Sequence, residues 1–452
     1  MHRRHLLKAS AAAGLTLGTG LIEGLKFGLP AGAATAGGNG SGKGFGPLQP
    51  DPAGILDLPE GFHYKVVTQA GRPLEGQAAG VVPGRQDGTA SFDGPRGGVY
   101  IVQNHEQGTS ADHPAVAAAE LTYDPGAVGG TTTLQLDRHN DIVSQYVSLA
   151  GTNNNCAGGA TPWGTWLTCE ETEAKAGGAL TKNHGFVFEV SPYKPSANVN
   201  PTPLTGLGRF AHEAVAVDPR RGHVYLTEDA SGPNGLLYRF TPAQLPNRLH
   251  SLRAGGTLEA FFSPAGPDLS VFDLIGTSIP VQWKPVPDPS AAATSIRKQF
   301  GLTDVTRSRK YEGMWWGNGR AYIVCSFARL SDGSAAEHDG QVWSLDPRSQ
   351  TLTLEAYFPV NADPEGAGAD LPDGPDNITV NPWGGLVIAE DGNGTQHLVG
   401  IKDGVPSLLA RNAVSGSEFT GVNFSPDRHT LFANVQDEGY VFAITGPFGR
   451  FC

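Results

Sequence analysis

Short apolar runs separated by turn-forming residues recur along this chain, and they recur in a fixed order. A polar or acidic cluster leads into an apolar strand, a Gly/Pro/Asp turn follows, and a second apolar strand ends again in polar or acidic residues. A third strand comes soon after. His212-Glu213 opens one such unit, which runs to Thr227-Glu228-Asp229 and then to a strand ending at Phe240. Tyr311-Glu312 leads to Cys325-Ser326 and on to Leu345, and Asp376-Asn377 leads to Glu390-Asp391 and Ile401. Glu418 to Gly421 opens a fourth unit that passes Asn434 to Asp437 and ends at Ile444. Asn155-Cys156 with Cys169-Glu170-Glu171 makes a fifth, and Val99 to Glu106 with residues 120–125 a weaker sixth.

Six units of three or four short strands predict an all-β fold, a six-bladed β-propeller. A strand at 63–68 is placed to complete the last blade and close the ring. A large sandwich would use the same strands but gives no reason for hairpins with acids at matched ends. The stretch at about 241–310 is too long to link blades and reads as a partly helical insertion lying over a rim. Asp288 would be the N-cap, Pro289 the first helical residue, and Ala291 to Phe300 the helix.

The ends and the composition narrow the setting. Arg3-Arg4, an apolar run from Ala9 to Leu21 and Ala34-Thr35-Ala36 form a twin-arginine export signal over residues 1–36, with cleavage expected after Ala36. Residues 37–47 read as a flexible leader. They approach a phosphate-binding loop but carry Gly44 where Ser or Thr is needed. Residues 48–452 then form a single propeller domain, periplasmic or secreted, with the export machinery as a partner and a monomer as the working form. No later window has the ~18 apolar residues of a membrane span. Removing the signal takes away four basic residues and one acid, which moves the formal net charge from −12 to −15. Such a surface suits neither nucleic acid nor an anionic membrane, but it suits bound cations. Four cysteines without metal-finger spacing leave a Cys156–Cys325 or a Cys325–Cys452 bridge open.

Hairpin geometry turns the repeat into a candidate site. The start of one strand and the end of the next lie at the same edge, so Glu213 with Glu228, fifteen apart, share a rim. Asp376 with Glu390 and Glu312 with Ser326, each fourteen apart, do likewise. Inner strands of a propeller converge on its axis, which gathers Glu106, Cys169, Glu170, Glu171, Glu213, Glu228, Glu312, Asp376, Glu390 and Glu418. So many carboxylates cannot all ionise without counter-charge. Carboxylate and amide oxygens suit calcium, and a thiolate among carboxylates suits a transition metal. Asp391-x-Asn393-x-Thr395 adds the opening of a calcium loop.

At these residues the chain resembles the PhoX-type alkaline phosphatases, as a short member. The stretches that carry the resemblance are TWLTCEE (165–171), GRFAHEAVAVDP (208–219), VYLTED (224–229), DGPDNITVNPWGGLVIAEDG (373–392), EFTGVNFSPDRHTLFANVQ (418–436) and AITGPF (443–448). The resemblance implies a six-bladed propeller with an iron and calcium cluster, Fe3+ and Ca2+, on the rim. It implies Cys169 as the iron ligand, with Glu213, Glu312, Asp376 and Glu390 as carboxylate ligands and Glu170 and Glu171 beside them, while the calcium-loop opening adds Asp391 to the candidate metal ligands. The implied reaction is hydrolysis of small phosphomonoesters without a covalent protein nucleophile, with Lys310 and Arg209 assisting at the phosphate. Lys310 stands where the family is expected to carry arginine, and Asp437-Glu438-Gly439 replaces an expected Pro-Gly. A phosphodiesterase, a phosphotriesterase or a calcium-dependent lactonase on the same scaffold, or a calcium-stabilised binding propeller, are the alternative readings. Export is checked by N-terminal sequencing of protein recovered outside the cytoplasm: the mature chain is expected to begin at Gly37, and Arg3→Lys with Arg4→Lys should strand the precursor inside.

Overall fold

The computed structural model describes residues 44–328 and 337–451; the export signal and most of the leader lie outside them. Six antiparallel sheets form six blades around an axis. From the axis outward, blade one comprises Gln86–Asp93, Val99–His105, Gly129–Leu136 and Ile142–Thr152. Blade two has Asn155–Ala160, Trp166–Glu170 and Val187–Val190. Blade three begins with His212–Val217, Val224–Glu228 and Leu237–Pro242. Blade four has Tyr311–Gly317, Arg320–Cys325, Gly340–Asp346 and Thr351–Phe358. Blade five has Pro375–Val380, Leu386–Glu390, His397–Lys402 and Val405–Asn412, and blade six Phe419–Phe424, Thr430–Val435 and Tyr440–Thr445.

The ring is closed by the chain's first strands. His63–Gln69 adds to Tyr440–Thr445, with His63 opposite Thr445, so blade six is built from both ends of the sequence. Leu56–Pro59 adds to the outer edge of blade five, Leu56 opposite Asn412. Apolar residues of successive strands fill the spaces between sheets, where Trp166, Trp343, Phe432 and Phe442 are fully buried.

Two expectations need correction. The segment at 241–310 carries no helix beyond short 3-10 turns; instead Gly256–Phe262 and Gln282–Pro285 are the outer strands of blade three, and Ser278–Pro280 edges blade four. Asp288 does cap the backbone N–H groups of Ser290 (3.0 Å) and Ala292 (3.1 Å). Ala291, however, lies at φ +45° and stops a right-handed helix at once. Only Ile296–Lys298 turns, because Ile296 is buried in the core and Arg297 reaches inward to Glu173 and Glu228. Tertiary tethers outweigh the marginal helicity of so short a stretch. The weak sixth unit also began one strand late. Its inner strand is Gln86–Asp93, polar and glycine-containing and so without an apolar signature, while Ala119–Leu121 is a 3-10 turn.

Every inner strand carries a β-bulge near its start. Five ladders slip directly after their first pair, at Asp87-Gly88, Cys156-Ala157, Glu213-Ala214, Glu312-Gly313 and Asp376. In blade six the slip comes one residue later, at Gly421-Val422. A bulge re-aims a side chain out of the pleat. Where neighbouring inner strands approach closely, the bulge also needs a small residue. A Cβ on Gly88 would lie 2.6 Å from the Ala157 Cα, and one on Gly313 would lie 2.6 Å from the Asp376 carbonyl oxygen. Below the bulges, a cavity of only about 20 Å³ remains on the axis among Gly88, Ala157, Trp315 and Val422. Gly313→Ala is expected to lower stability by about 1–3 kcal/mol through overpacking, which thermal unfolding would register.

Candidate metal centre

The first pair of each inner ladder fixes which residues meet on the axis. Gln86 pairs with His105, Asn155 with Glu170, His212 with Glu228, Tyr311 with Cys325, Pro375 with Glu390 and Phe419 with Val435. One step further along the inner strand stand Asp87, Cys156, Glu213, Glu312, Asp376 and Thr420. One step beyond the second strand stand Glu106, Glu171, Asp229, Ser326, Asp391 and Gln436. These two sets, with Glu418 just ahead of blade six, line the mouth of the axis.

Their ligand atoms come together. Cys156, Glu171 and Glu213 each offer an atom within 4.8 Å of the other two. So do Glu213, Glu312 and Asp376, and so do Asp376, Asp391 and Glu418. Glu213 and Asp376 belong to two groups each and link the three into one array. The Cys156 thiol donates to Glu213 Oε1 at 3.2 Å. Asp87 and Glu106 extend the array toward blade six, where Gln436 Nε2 donates to Asp87 Oδ2 (2.7 Å) and Glu106 Oε2 (3.2 Å). Asp87 Oδ1 is buried without a partner.

Burial and mutual repulsion raise these acids together. Burial, then Glu171 and Asp376, push Glu213 well above the usual carboxylate range. Burial and Glu312 do so for Asp376, burial and Glu106 for Asp87, and burial and Asp391 for Glu418. The Cys156 thiol is raised by burial and by Asp87 and Glu213. Hard oxygen donors in this number, one thiol among them and an unpartnered buried oxygen are what metal ions would satisfy.

The acids that end the second strands do different work. Glu170 receives Asn153 N (2.9 Å) and His184 Nδ1 (2.6 Å) on one oxygen, and Gly185 N (2.9 Å) and Phe186 N (3.1 Å) on the other. His184 Nε2 reaches Asp124 at 3.2 Å; burial opposes its protonation, but Glu170 and Asp124 together raise its pKa. Glu228 receives Leu236 N, Tyr238 Oη (2.7 Å) and Arg297 Nη1 (3.0 Å). Glu390 receives Asp373 N (3.0 Å), His397 N (2.8 Å) and His397 Nδ1 (2.9 Å). Burial pushes Glu228 and Glu390 each up to about 7. These three buckle the rim loops to their blades and stand apart from the axial array.

Cys169 is also apart. It is fully buried in the apolar cluster of blades two and three with Leu167, Val187 and Val215. The two thiols lie at one bulge, where Cys156 and Ala157 together oppose Cys169. Cys156, Cys169 and Cys325 are free, so the Cys156–Cys325 bridge is not formed. Arg209 donates to the backbone carbonyls of Glu173 (2.6 Å), Ala174 and Ala291. Lys310 does reach the array, with Nζ 2.7 Å from Glu312 Oε1 and 3.3 Å from Asp229 Oδ2. Burial alone would depress it, but those two carboxylates hold it well above its ordinary value.

Asp87 and Cys156 were not singled out by spacing. Cys156 was already at the head of its repeat unit, in the place Glu213 and Glu312 hold in theirs. Asp87 was hidden because its strand lacks an apolar run.

The sequence profile of the alkaline phosphatase PhoX family matches residues 43–147 and 139–439. The chain belongs to that family. It is therefore a phosphoric ester hydrolase, and the non-enzymatic reading falls away. Its structure is similar to Pseudomonas fluorescens PhoX in complex with vanadate, a transition-state analogue, with a TM-score of 0.68 and 20% identity. That match covers 90% of this chain and 98% of the Pseudomonas protein and shows the shared propeller. A gluconolactonase from Xanthomonas campestris is matched over 89% of this chain and 98% of its own, at 13% identity and a TM-score of 0.42. No curated protein matches the chain. Among the described residues, no helix of this PhoX-family chain is long and apolar enough to cross a membrane.

The raised acids make stability depend on pH in a definite direction. In metal-free protein, Asp87, Glu213, Asp376 and Glu418 have folded-state pKa values above their unfolded ones. Their contribution is full below the ordinary carboxylate range and is lost as pH rises through the raised values. Metal-stripped protein should melt at a lower temperature at pH 8 than at pH 5, and added calcium should restore the loss.

Proposed function

We propose that this chain is an exported phosphomonoesterase whose axial array holds iron and calcium ions. The observation that carries the reading is the array itself. Eight carboxylates (Asp87, Glu106, Glu171, Glu213, Glu312, Asp376, Asp391 and Glu418) and the Cys156 thiol meet with only Lys310 and Arg85 as paired cations among the described residues. Cys156 with Glu171 and Glu213 offers the mixed sulfur and oxygen set that suits iron. Glu213, Glu312 and Asp376, and then Asp376, Asp391 and Glu418, offer the all-oxygen sets that suit calcium. Ions bound there would polarise the phosphoryl oxygens and lower the pKa of a water.

The chain's own residues define the rest of the chemistry. Lys310, held at Glu312 and Asp229, remains a cation at alkaline pH and can hold a phosphoryl oxygen as charge grows on it. Ser326 donates to Glu312 Oε1 at 2.6 Å and fixes that carboxylate's orientation. The closed axis below the bulges admits substrate from the rim alone, so the phosphate end must enter first. The buckles at Glu170, Glu228 and Glu390 hold the neighbouring Glu171, Asp229 and Asp391 in register. Small phosphomonoesters are the substrates this arrangement fits. Export through the twin-arginine route belongs to the same proposal and rests on residues 1–36.

Elemental analysis of purified protein, with p-nitrophenyl phosphate turnover on the same sample, tests the reading. Iron and calcium with activity are expected in the wild type. Cys156→Ala should lose the iron and at least a hundredfold in turnover. Cys169→Ala should keep both and cost on the order of 1 kcal/mol of stability. Calcium without iron and no monoester turnover, beside hydrolysis of bis-p-nitrophenyl phosphate or a lactone, would sink it.

A further inference from the structure

Of the arginines near the rim, most are committed to the scaffold. Arg209 and Arg307 donate to backbone carbonyls, and Arg297 bridges Glu173 and Glu228. Among the described residues, the cations whose ion pairs reach the axial array are Lys310 and Arg85. Lys310 opens blade four and Arg85 opens blade one. In a ring of six these blades are opposite, so the two cations face each other across the axis.

Arg85 is placed with some cost. It lies at φ +56°, in the left-handed region that a non-glycine residue adopts rarely. Its Nη2 is 3.3 Å from Glu106 Oε2, and its Nη1 is paired with Asp437. Two of its five N–H donors are thus used, and the side chain is 42% exposed. Asp437 is itself 46% exposed.

A substrate carrying a single phosphate, held at Lys310, makes no use of the half-exposed guanidinium on the other side of the axis. We propose that Arg85 is a specificity-determining residue that binds a second phosphate group, on the leaving-group side of a bisphosphorylated substrate. The planar guanidinium fork matches a phosphate's oxygens, and Asp437 holds the fork at the rim until that group displaces it. The bond changes are those of any monoester: water adds to phosphorus, the P–O bond to the alcohol breaks, and a proton goes to the leaving oxygen. Arg85 acts on binding, and this inference rests on the phosphomonoesterase reading above.

The test compares fructose 1,6-bisphosphate with fructose 6-phosphate on the metal-loaded protein. Wild type should show a KM about tenfold lower for the bisphosphate, and a correspondingly larger rise in Tm when it is added. Arg85→Gln should bring both differences close to none, and Arg85→Lys should restore part. Asp437→Asn separates ligand binding from a latch between blades six and one. It should keep or sharpen the bisphosphate preference, whereas a latch would make it behave as Arg85→Gln does. Equal KM values in the wild type, or equal losses on both esters in Arg85→Gln, overturn the proposal. Should neither ester be turned over, the Tm arm still decides: an Arg85-dependent shift by the bisphosphate upholds the anion site and its absence overturns it, while p-nitrophenyl phosphate turnover on the same sample reports separately on the phosphomonoesterase reading.

Discussion

Like charge held at close range on the propeller axis is the constraint around which this protein is arranged. Bulges in the inner strands turn acids from four blades and a thiol from a fifth inward, and the strands that follow bring a second row beside them. Repulsion and burial would keep many of these groups protonated, as their raised pKa values show. A fold that gathers them nonetheless must supply positive charge, and among the described residues Lys310 and Arg85 are the cations seen paired with the array. Multivalent ions would supply that charge in the reading proposed above, and the packing beneath the array, with Ala157, Trp315 and Val422 about the axis, keeps the charge at the mouth.

The same rim carries carboxylates of a second kind. Glu170, Glu228 and Glu390 are as deeply buried as the axial acids, yet each is saturated by backbone N–H groups, a histidine, a tyrosine or an arginine. Their hydrogen bonds compensate desolvation locally. Among the axial acids, Asp87 keeps one buried oxygen without a partner, and Glu213, Asp376 and Glu418 remain raised by burial and by one another. Adjacent residues such as Glu170 and Glu171 thus differ in environment more than in chemistry.

That distinction explains how far the sequence could be read. The hairpins, the ring closure through residues 63–68 and the six-unit count were legible because alternating apolar strands and glycine-rich turns leave a periodic trace. The site was legible as a region, since acids at matched strand ends mark the rim. Its membership was less so. Strand residues alternate faces, so one residue of offset exchanges an axial ligand for a buckle, and a bulge inserts that offset without altering composition. Glu228 and Glu390 therefore looked equivalent to Glu213 and Asp376. Cys169 sat in the conspicuous acidic stretch, while Cys156, one hairpin earlier, occupied the bulge. Strand Gln86–Asp93 left no apolar trace, which concealed Asp87. The expected helix after Asp288 failed for a different reason: its cap was read correctly, but Arg297 is drawn inward by Glu173 and Glu228, contacts remote in sequence.

The pairing of His63 with Thr445 has a consequence for the order of events in biosynthesis. Blade six cannot be completed until nearly the whole polypeptide has been made, and blade six supplies Glu418 and Gln436 to the axis. The groups on blades two to five can gather earlier, but Glu418 joins Asp376 and Asp391 only with blade six, so on the metal-centre reading that group is the last to be completed and its ion would report the completion of the ring.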